Sequence, residues 1–173
     1  MLGYIVAGAG GGADRCLSGL AGRLESAGIP LAGVVQSNIA RADGQPDDMD
    51  LHVIGTGRVI RISQSLGPGS EGCRLNAAAL EEAAGLVGAA LDTGAPRVLL
   101  LNRFGRQEAE GRGFRPLIGR ALGEGMAVLM AVGAEYAEAF HAFAGGMGEC
   151  LPADAARLFD WCREAIGAPA SPE

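Results

Sequence analysis

Residues 2–36 read LGYIVAGAGGGADRCLSGLAGRLESAGIPLAGVVQ, and this stretch decides the fold class. The apolar segment 2–7 has the composition of a buried strand, and apolar residues recur at helical spacing over 14–27. Gly28 and Pro30 end that helix, and a second apolar strand follows at 31–36. A strand, a helix and a strand in this order form a parallel pair with a right-handed crossover. The sequence therefore predicts an α/β protein.

The rest of the chain continues the alternation of strands and helices. We predict a hairpin at 50–54 and 58–62, helices at 77–93 (capped by Asn76), 113–122, 136–143 and 154–166, and strands at 98–101, 127–132 and 149–151. This order predicts a three-layer, mostly parallel, Rossmann-like sheet with an edge hairpin, in which ligands bind beyond the carboxyl ends of the strands. We expect one α/β domain over residues 1–167 and a disordered tail at 168–173.

The charged composition indicates which ligands the protein can hold. All 14 of its lysine-plus-arginine positions are arginine, so guanidinium groups, backbone N–H groups and helix N-termini are the donors available to an anion. The net charge of −6 argues against nucleic-acid binding and favours a small ligand. No apolar stretch approaches the ~20 residues of a membrane span, and no basic segment precedes the first apolar run. We therefore expect a cytoplasmic protein without a signal peptide or membrane insertion.

The sequence does not indicate a metal site. Its four cysteines include no C-x-x-C pair and it has two histidines, which argues against zinc. Four aspartates between Asp43 and Asp50 lie near His52 in sequence, and such a composition can help to bind Mg²⁺. We interpret this stretch as a solvated loop.

The glycine-rich turn after the first strand has two interpretations. Gly10, Gly11 and Gly12 would cradle a phosphate if the turn were a P-loop, G-x-x-x-x-G-K-[ST]. Counted from Gly8, however, the last three positions are Ala13, Asp14 and Arg15, so the lysine and the hydroxyl are missing. The looser dinucleotide pattern G-x-G-x-x-A is met, but the second strand ends in Gln36 instead of an acidic residue. Asp14 is expected to cap the helix. A structural turn and an anion cradle both remain open.

A second glycine-rich loop spans residues 63–74. It contains Ser63, Gln64, Ser70 and Arg74 together with glycines such as Gly67. This composition suits a nest of backbone donors around an oxyanion, and it equally suits an ordinary turn.

The third loop follows the apolar strand in RVLLLNRFGRQEAEGRGFR, residues 97–115. Its candidate ligand-binding residues are Asn102, Arg103, Arg106, Arg112 and Arg115. Glu108 and Glu110 lie among these arginines, so surface ion pairs are the alternative, each worth about 0–1 kcal/mol. We favour ligand binding because the loop leaves the carboxyl end of a central strand, where the three loops are expected to meet.

The strings ISQSLGPGSEGCRL, LLLNRFGRQEAEGRGFRP and AFHAFAGG carry a resemblance over nearly the whole chain. They resemble an uncharacterised bacterial family, a domain of unknown function often encoded beside molybdate uptake genes. The order of elements is more distantly similar to small P-loop nucleoside triphosphatases. In that comparison LLLNRFG occupies the Walker B strand, with Asn102 where a magnesium-binding aspartate is expected. The resemblance implies a P-loop-like fold without the residues for nucleotide hydrolysis.

Together these observations lead to one functional hypothesis and two alternatives. The hypothesis is an oxyanion-binding protein, for molybdate or a phosphate-type ligand, in molybdenum homeostasis; the molybdenum link comes from the resemblance. The first alternative is a nucleotide phosphohydrolase that uses a nucleotide with Mg²⁺ and has Glu108 or Glu110 as its base. The second is a non-catalytic protein that docks on molybdenum-handling partners. The sequence leaves open whether the protein forms a homo-oligomer.

Overall fold

A computed structural model describes residues 1–67 and 74–167. These residues form a seven-stranded sheet of order β4-β3-β2-β5-β6-β1-β7. The strands are β1 (Leu2–Ala7), β2 (Leu31–Ile39), β3 (Asp48–Val53), β4 (Arg58–Arg61), β5 (Val98–Phe104), β6 (Ala127–Gly133) and β7 (Gly148–Cys150). The pairs among β2, β5, β6, β1 and β7 are parallel, whereas β3 and β4 add an antiparallel hairpin at one edge.

Helices cover both faces of this sheet. They are α1 (Gly12–Ser26), α2 (Ala77–Asp92), α3 (Arg106–Ala109), α4 (Arg115–Gly123), α5 (Ala137–Ala144) and α6 (Ala155–Ala165). On one face Leu20 of α1 and Leu158 of α6 pack with Leu100. On the other, Val87 of α2 and Phe140 of α5 pack with the buried side chains of α4 and of the strands. The predicted three-layer, mostly parallel sheet with an edge hairpin is confirmed.

The sheet has a switch point between β1 and β6. These neighbouring strands are parallel and in register from Leu2 to Ala7. The chain leaves β1 into α1 on one face, and it leaves β6 toward α5 on the opposite face. Connections that diverge in this way leave a crevice at the carboxyl edge of a parallel sheet. The glycine turn and the end of β5 lie along this edge.

Three local predictions are corrected. Strand β5 runs to Phe104, with a register shift between Leu101 and Arg103, so Asn102 lies inside the strand. The helix predicted from 113 begins at Arg115, and a short helix, α3, precedes it. Helix α1 begins at Gly12 with Gly11 as a left-handed N-cap, so Asp14 lies in the first turn and caps nothing. Gly11 occupies the N-cap position in place of a residue with a capping side chain, because glycine adopts a positive φ without strain.

Two further expectations concern the C-terminal tail and membrane insertion. The tail predicted at 168–173 lies outside the described residues. Within the described ranges, no helix is both long enough and apolar enough to cross a membrane.

Candidate functional site

A chain of side-chain amides runs along the carboxyl edge of the sheet. Asn102 Nδ2 donates to Gln36 Oε1 at 2.9 Å, and Gln36 Nε2 donates to Asn38 Oδ1 at 2.8 Å. Asn38 Nδ2 then donates to Asp14 Oδ2 at 2.9 Å. We call Asn102, Gln36 and Asn38 the amide chain. It joins β5 to the first turn of α1 through β2, which lies beside β5 because residues 31–33 pair in parallel with residues 98–100.

Asp14 lies at the end of the amide chain, in the position of a P-loop lysine. It is 5% exposed, and its Oδ1 is 3.5 Å from Arg103 Nη2. The first turn of a helix stabilises a carboxylate through the free N–H groups and the helix dipole. Gly10 and Gly11 have positive φ angles, and Arg15 Nη1 donates to the Gly10 carbonyl at 3.0 Å. The turn therefore contains an anion of its own, which repels a phosphate.

A cavity of about 220 Å³ lies beside the amide chain. Its polar wall includes Gln36, Asn102, Arg103, Arg106, Glu108 and Glu135. Its apolar wall includes Met49, Leu51, Leu75, Leu80, Phe114 and Tyr136. The cavity lies at the carboxyl-terminal parts of β2 and β5, on the carboxyl edge of the sheet but to one side of the switch point between β1 and β6. The structure thus brings three of the predicted ligand-binding residues together: Asn102, Arg103 and Arg106.

The remaining arginines of the third loop lie elsewhere. Arg112 Nε donates to Gln107 Oε1 at 2.9 Å, and its guanidinium pairs with Glu110. Arg115 donates to the carbonyls of Glu108 and Ala109. Its guanidinium carbon Cζ lies over the Phe143 ring, 4.9 Å from the ring centroid. These contacts bind the loop to itself and to α5. Arg106, by contrast, pairs with Glu110 on the surface at 2.9 Å and also lines the cavity.

Glu108 organises the backbone of the third loop. Its Oε2 accepts from Gly105 N and its Oε1 from Phe114 N, each at 3.0 Å. Burial raises the pKa of this carboxyl, the two backbone N–H groups lower it, and the charge of Glu81 raises it further. Gly113 packs so closely on this carboxylate that a Cβ there would overlap it.

The loop at 63–74 is fastened at its base. The buried Ser63 Oγ donates to Asp48 Oδ1 and accepts from Met49 N, both at 3.0 Å. Gln64 N donates to the Arg74 carbonyl at 2.7 Å. Ser63 and Arg74 therefore hold the loop to β3, and Gln64 closes its base against Arg74. The cavity wall instead contains their neighbours Ile62 and Leu75. Gly67 has a φ of 86°, and Ser70 lies outside the described residues.

Three aspartates of the acidic stretch, Asp43, Asp48 and Asp50, pair with arginines. Asp48 is within 3.6 Å of Arg41 and Arg74 and 3.0 Å from Arg61, and Arg61 also bonds Asp50. His52 instead contacts Ser37 Oγ at 2.7 Å. Among the residues that the structure describes, no group of three or more His, Cys, Asp or Glu is suited to hold a metal ion.

Comparisons with known proteins identify the family of this chain. Residues 2–161 match the family described as "Protein of unknown function (DUF2478)". The chain belongs to this family. It is also 36% identical over 151 residues to "Molybdenum import ATP-binding protein ModC 2" of Bradyrhizobium diazoefficiens. That alignment covers 87% of this chain and 17% of the relative, so the DUF2478 chain spans less than a fifth of the protein it matches. With the observed sheet, this similarity agrees with a P-loop NTPase-like fold.

Sequence reasoning missed part of this DUF2478 site. It named Gln36 and Asp14 only as departures from nucleotide-binding patterns, and it did not consider Asn38. The predicted strand ends at Gln36, whereas β2 extends to Ile39, and only this longer strand puts Gln36 and Asn38, two residues apart, on the same face. Two amides on one face at the end of a strand favour a polar site there.

Proposed function

We propose that this DUF2478 protein binds a small oxyanion, molybdate or a phosphate-type group, as part of molybdenum homeostasis. The observation that carries the proposal is the position of Arg103 and Arg106 in the wall of the cavity at the ends of β2 and β5. In a chain without lysine, these guanidinium groups are the cationic side chains of that wall. The molybdenum role is inferred from the printed name of the ModC relative.

The energetics favour exchange of surface ion pairs for a bound anion. The Arg103 side chain is 40% exposed and Arg106 57%, and each now faces a carboxylate of the same chain. The Arg106–Glu110 pair is exposed and contributes about 0–1 kcal/mol, whereas the Asp14 carboxylate is buried and would lose its cationic neighbour if Arg103 moved away. A hydrogen bond to a charged group in a cleft is worth about 1.5–3 kcal/mol. Transfer of the Arg106 guanidinium from Glu110 to an oxyanion in the cavity is therefore favourable.

The glycine turn is the less favourable place for the anion. The carboxylate of Asp14 occupies the lysine position of a P-loop and repels phosphate oxygens. For this reason Gly10, Gly11 and Gly12 are left as structural parts of the turn in this proposal.

Nucleotide binding is the second candidate, because the relative is named as an ATP-binding protein. It would require a nucleotide with Mg²⁺ to bind at a turn that lacks the P-loop lysine and beside Asn102 in place of an acidic residue. Docking on molybdenum-handling proteins and self-association are further ways in which a small oxyanion-binding protein could act.

Titration with individual ligands tests the proposal. Thermal unfolding and calorimetry would be followed with molybdate, tungstate, sulfate, phosphate and MgATP. A ligand at 100 times its Kd adds about 2.7 kcal/mol to the free energy of unfolding. We expect stabilisation by at least one oxyanion and at least a tenfold weaker Kd in Arg103→Gln and Arg106→Gln, about 1.4 kcal/mol.

Arg120→Gln is the matched control. Arg120 lies on α4 and pairs with Asp92 and Glu124, and it is not part of the cavity wall. Like the other two substitutions, Arg120→Gln removes one positive charge. Because Arg120 does not line the cavity, the Kd should stay unchanged. The proposal is wrong if no oxyanion stabilises the protein, or if all three variants bind alike. Stabilisation by MgATP alone, with phosphate release, would establish the nucleotide alternative.

A further inference from the structure

The amide chain has a direction, and Asp14 sets it. A carboxylate offers only acceptors, so Asn38 must turn its N–H₂ toward Asp14. The Asn38 oxygen then accepts from Gln36, whose own oxygen accepts from Asn102. At each step an amide presents its donor to the residue nearer Asp14 and its acceptor to the residue farther away. The last oxygen, Asn102 Oδ1, therefore points away from the chain.

This terminal oxygen has no hydrogen-bond partner among the described residues. Asn102 is 3% exposed and forms part of the cavity wall, as do Gln36 and Arg103. A buried acceptor without a donor is destabilising, and a ligand that supplies the donor removes that cost. Rotation of the Asn102 amide does not solve the problem, because it would place two oxygens, those of Asn102 and Gln36, against each other.

We propose that the ligand of this cavity carries its own hydrogen-bond donor, which Asn102 Oδ1 accepts while Arg103 and Arg106 bind the negative charge. This inference rests on the proposed oxyanion function and narrows it. Phosphate keeps one O–H group near neutral pH, whereas sulfate, molybdate and tungstate present only acceptor oxygens. The site therefore selects a protonated, phosphate-type anion over the other tetrahedral anions.

Asp14 acts in this selection as a positioning residue. In an Asp14→Asn variant the end of the chain can donate as well as accept, so all three amides can reverse together. Asn102 can then present its N–H₂ group to the cavity, where it favours an anion without a proton. Asp14 itself lies outside the cavity wall. Its loss also frees Arg103, which affects the Kd of both anions, so the ratio of the two Kd values reports the change made through the chain.

The test is the ratio of the Kd for sulfate to the Kd for inorganic phosphate, measured by calorimetry near neutral pH. We expect a ratio of about ten or more in the wild type, since one hydrogen bond to a charged ligand is at stake. In Asp14→Asn the ratio should fall to about one or below. Asp47→Asn is the matched control. Asp47 lines a groove beside the glycine turn together with Asp14 and Asn38, but none of the hydrogen bonds that form the amide chain involves it, so this variant should keep the wild-type ratio.

A second variant covers the case in which Asp14→Asn does not fold. Asn38→Ala interrupts the chain at an exposed residue and should also bring the ratio to about one. Equal binding of sulfate and phosphate by the wild type would overturn the inference but leave the proposed function standing. A ratio unchanged in both chain variants would also overturn it. Absence of binding by every anion would instead refute the proposed function.

Discussion

Gly33 is the residue at which β2 comes closest to β5. Its φ is 134°, outside the range that side-chain-bearing residues usually adopt, and a Cβ there would overlap the carbonyl of Leu100. The two strands therefore pair closely because residue 33 has no side chain. This pairing places Gln36 beside Asn102, so the amide chain depends on it.

Replacing Gly33 with alanine should destabilise the protein by about 3 kcal/mol, through backbone strain and displacement of β5. Urea unfolding followed by circular dichroism measures the change. Gly85→Ala is the control, because Gly85 lies in α2 and a methyl group added there would meet no atom within 4 Å. This control variant should gain up to about 1 kcal/mol. Equal stability of the two variants would contradict the close approach.

Glu108 gives the third loop a pH dependence. Because burial raises the pKa of its carboxyl, the folded chain keeps this proton to a higher pH than the unfolded chain does. The stability that the group contributes is therefore complete below the ordinary glutamate pKa and is lost as pH rises through the raised value.

The variant Glu108→Gln lacks this titration. We expect the free energy of unfolding of the wild type, relative to Glu108→Gln, to decrease as pH rises from about 4 to about 7. Urea titrations of both proteins across this range give the difference directly. A difference that stays constant with pH, or that grows, would show that burial does not control this carboxyl.

Among the elements, α2 and β5 show what local sequence does and does not specify. Helix α2 begins after Asn76 as predicted, and Asn76 Oδ1 accepts from Ala79 N at 3.1 Å. The sequence predicts that β5 ends before Asn102, because polar residues such as Asn102 and Arg103 are typical of a loop, whereas the strand continues to Phe104. Pairing with β6 on one side and with β2 near its start keeps this segment extended.

The cap of α2 can be tested in isolation. Asn76→Ala should lower the free energy of unfolding by about 1 kcal/mol, because the side-chain acceptor for the first turn is lost. Asn76→Asp keeps an acceptor at the same place and should stay within a few tenths of a kcal/mol of the wild type. Chemical denaturation of the wild type and of both variants measures these free energies of unfolding. An equal loss of stability in the two variants would point to a cause other than capping.

At the scale of the whole molecule, the strand order determines which residues meet. The order β2-β5-β6-β1 brings the carboxyl-terminal parts of β2 and β5 together. It places the glycine turn, which follows β1, at the same edge of the sheet. Predicting that the loops after β1 and β5 converge was possible from the general rule for parallel sheets, and Asp14 and Arg103 do come within 3.5 Å. The role of each arginine was not predictable, because surface and cavity positions look alike in sequence.

The sequence by itself determined the alternation of strands and helices, the first parallel pair, the edge hairpin and the absence of a P-loop lysine. These features follow from apolar periodicity, turn residues and residue identity, which are local. Only the tertiary structure decided that Arg112 and Arg115 hold the third loop while Arg103 and Arg106 face the cavity. It also decided the amide chain, since the bonds to Asp14 and Asn102 span 24 and 66 positions. Contacts at such separations depend on strand order, which local propensity does not encode.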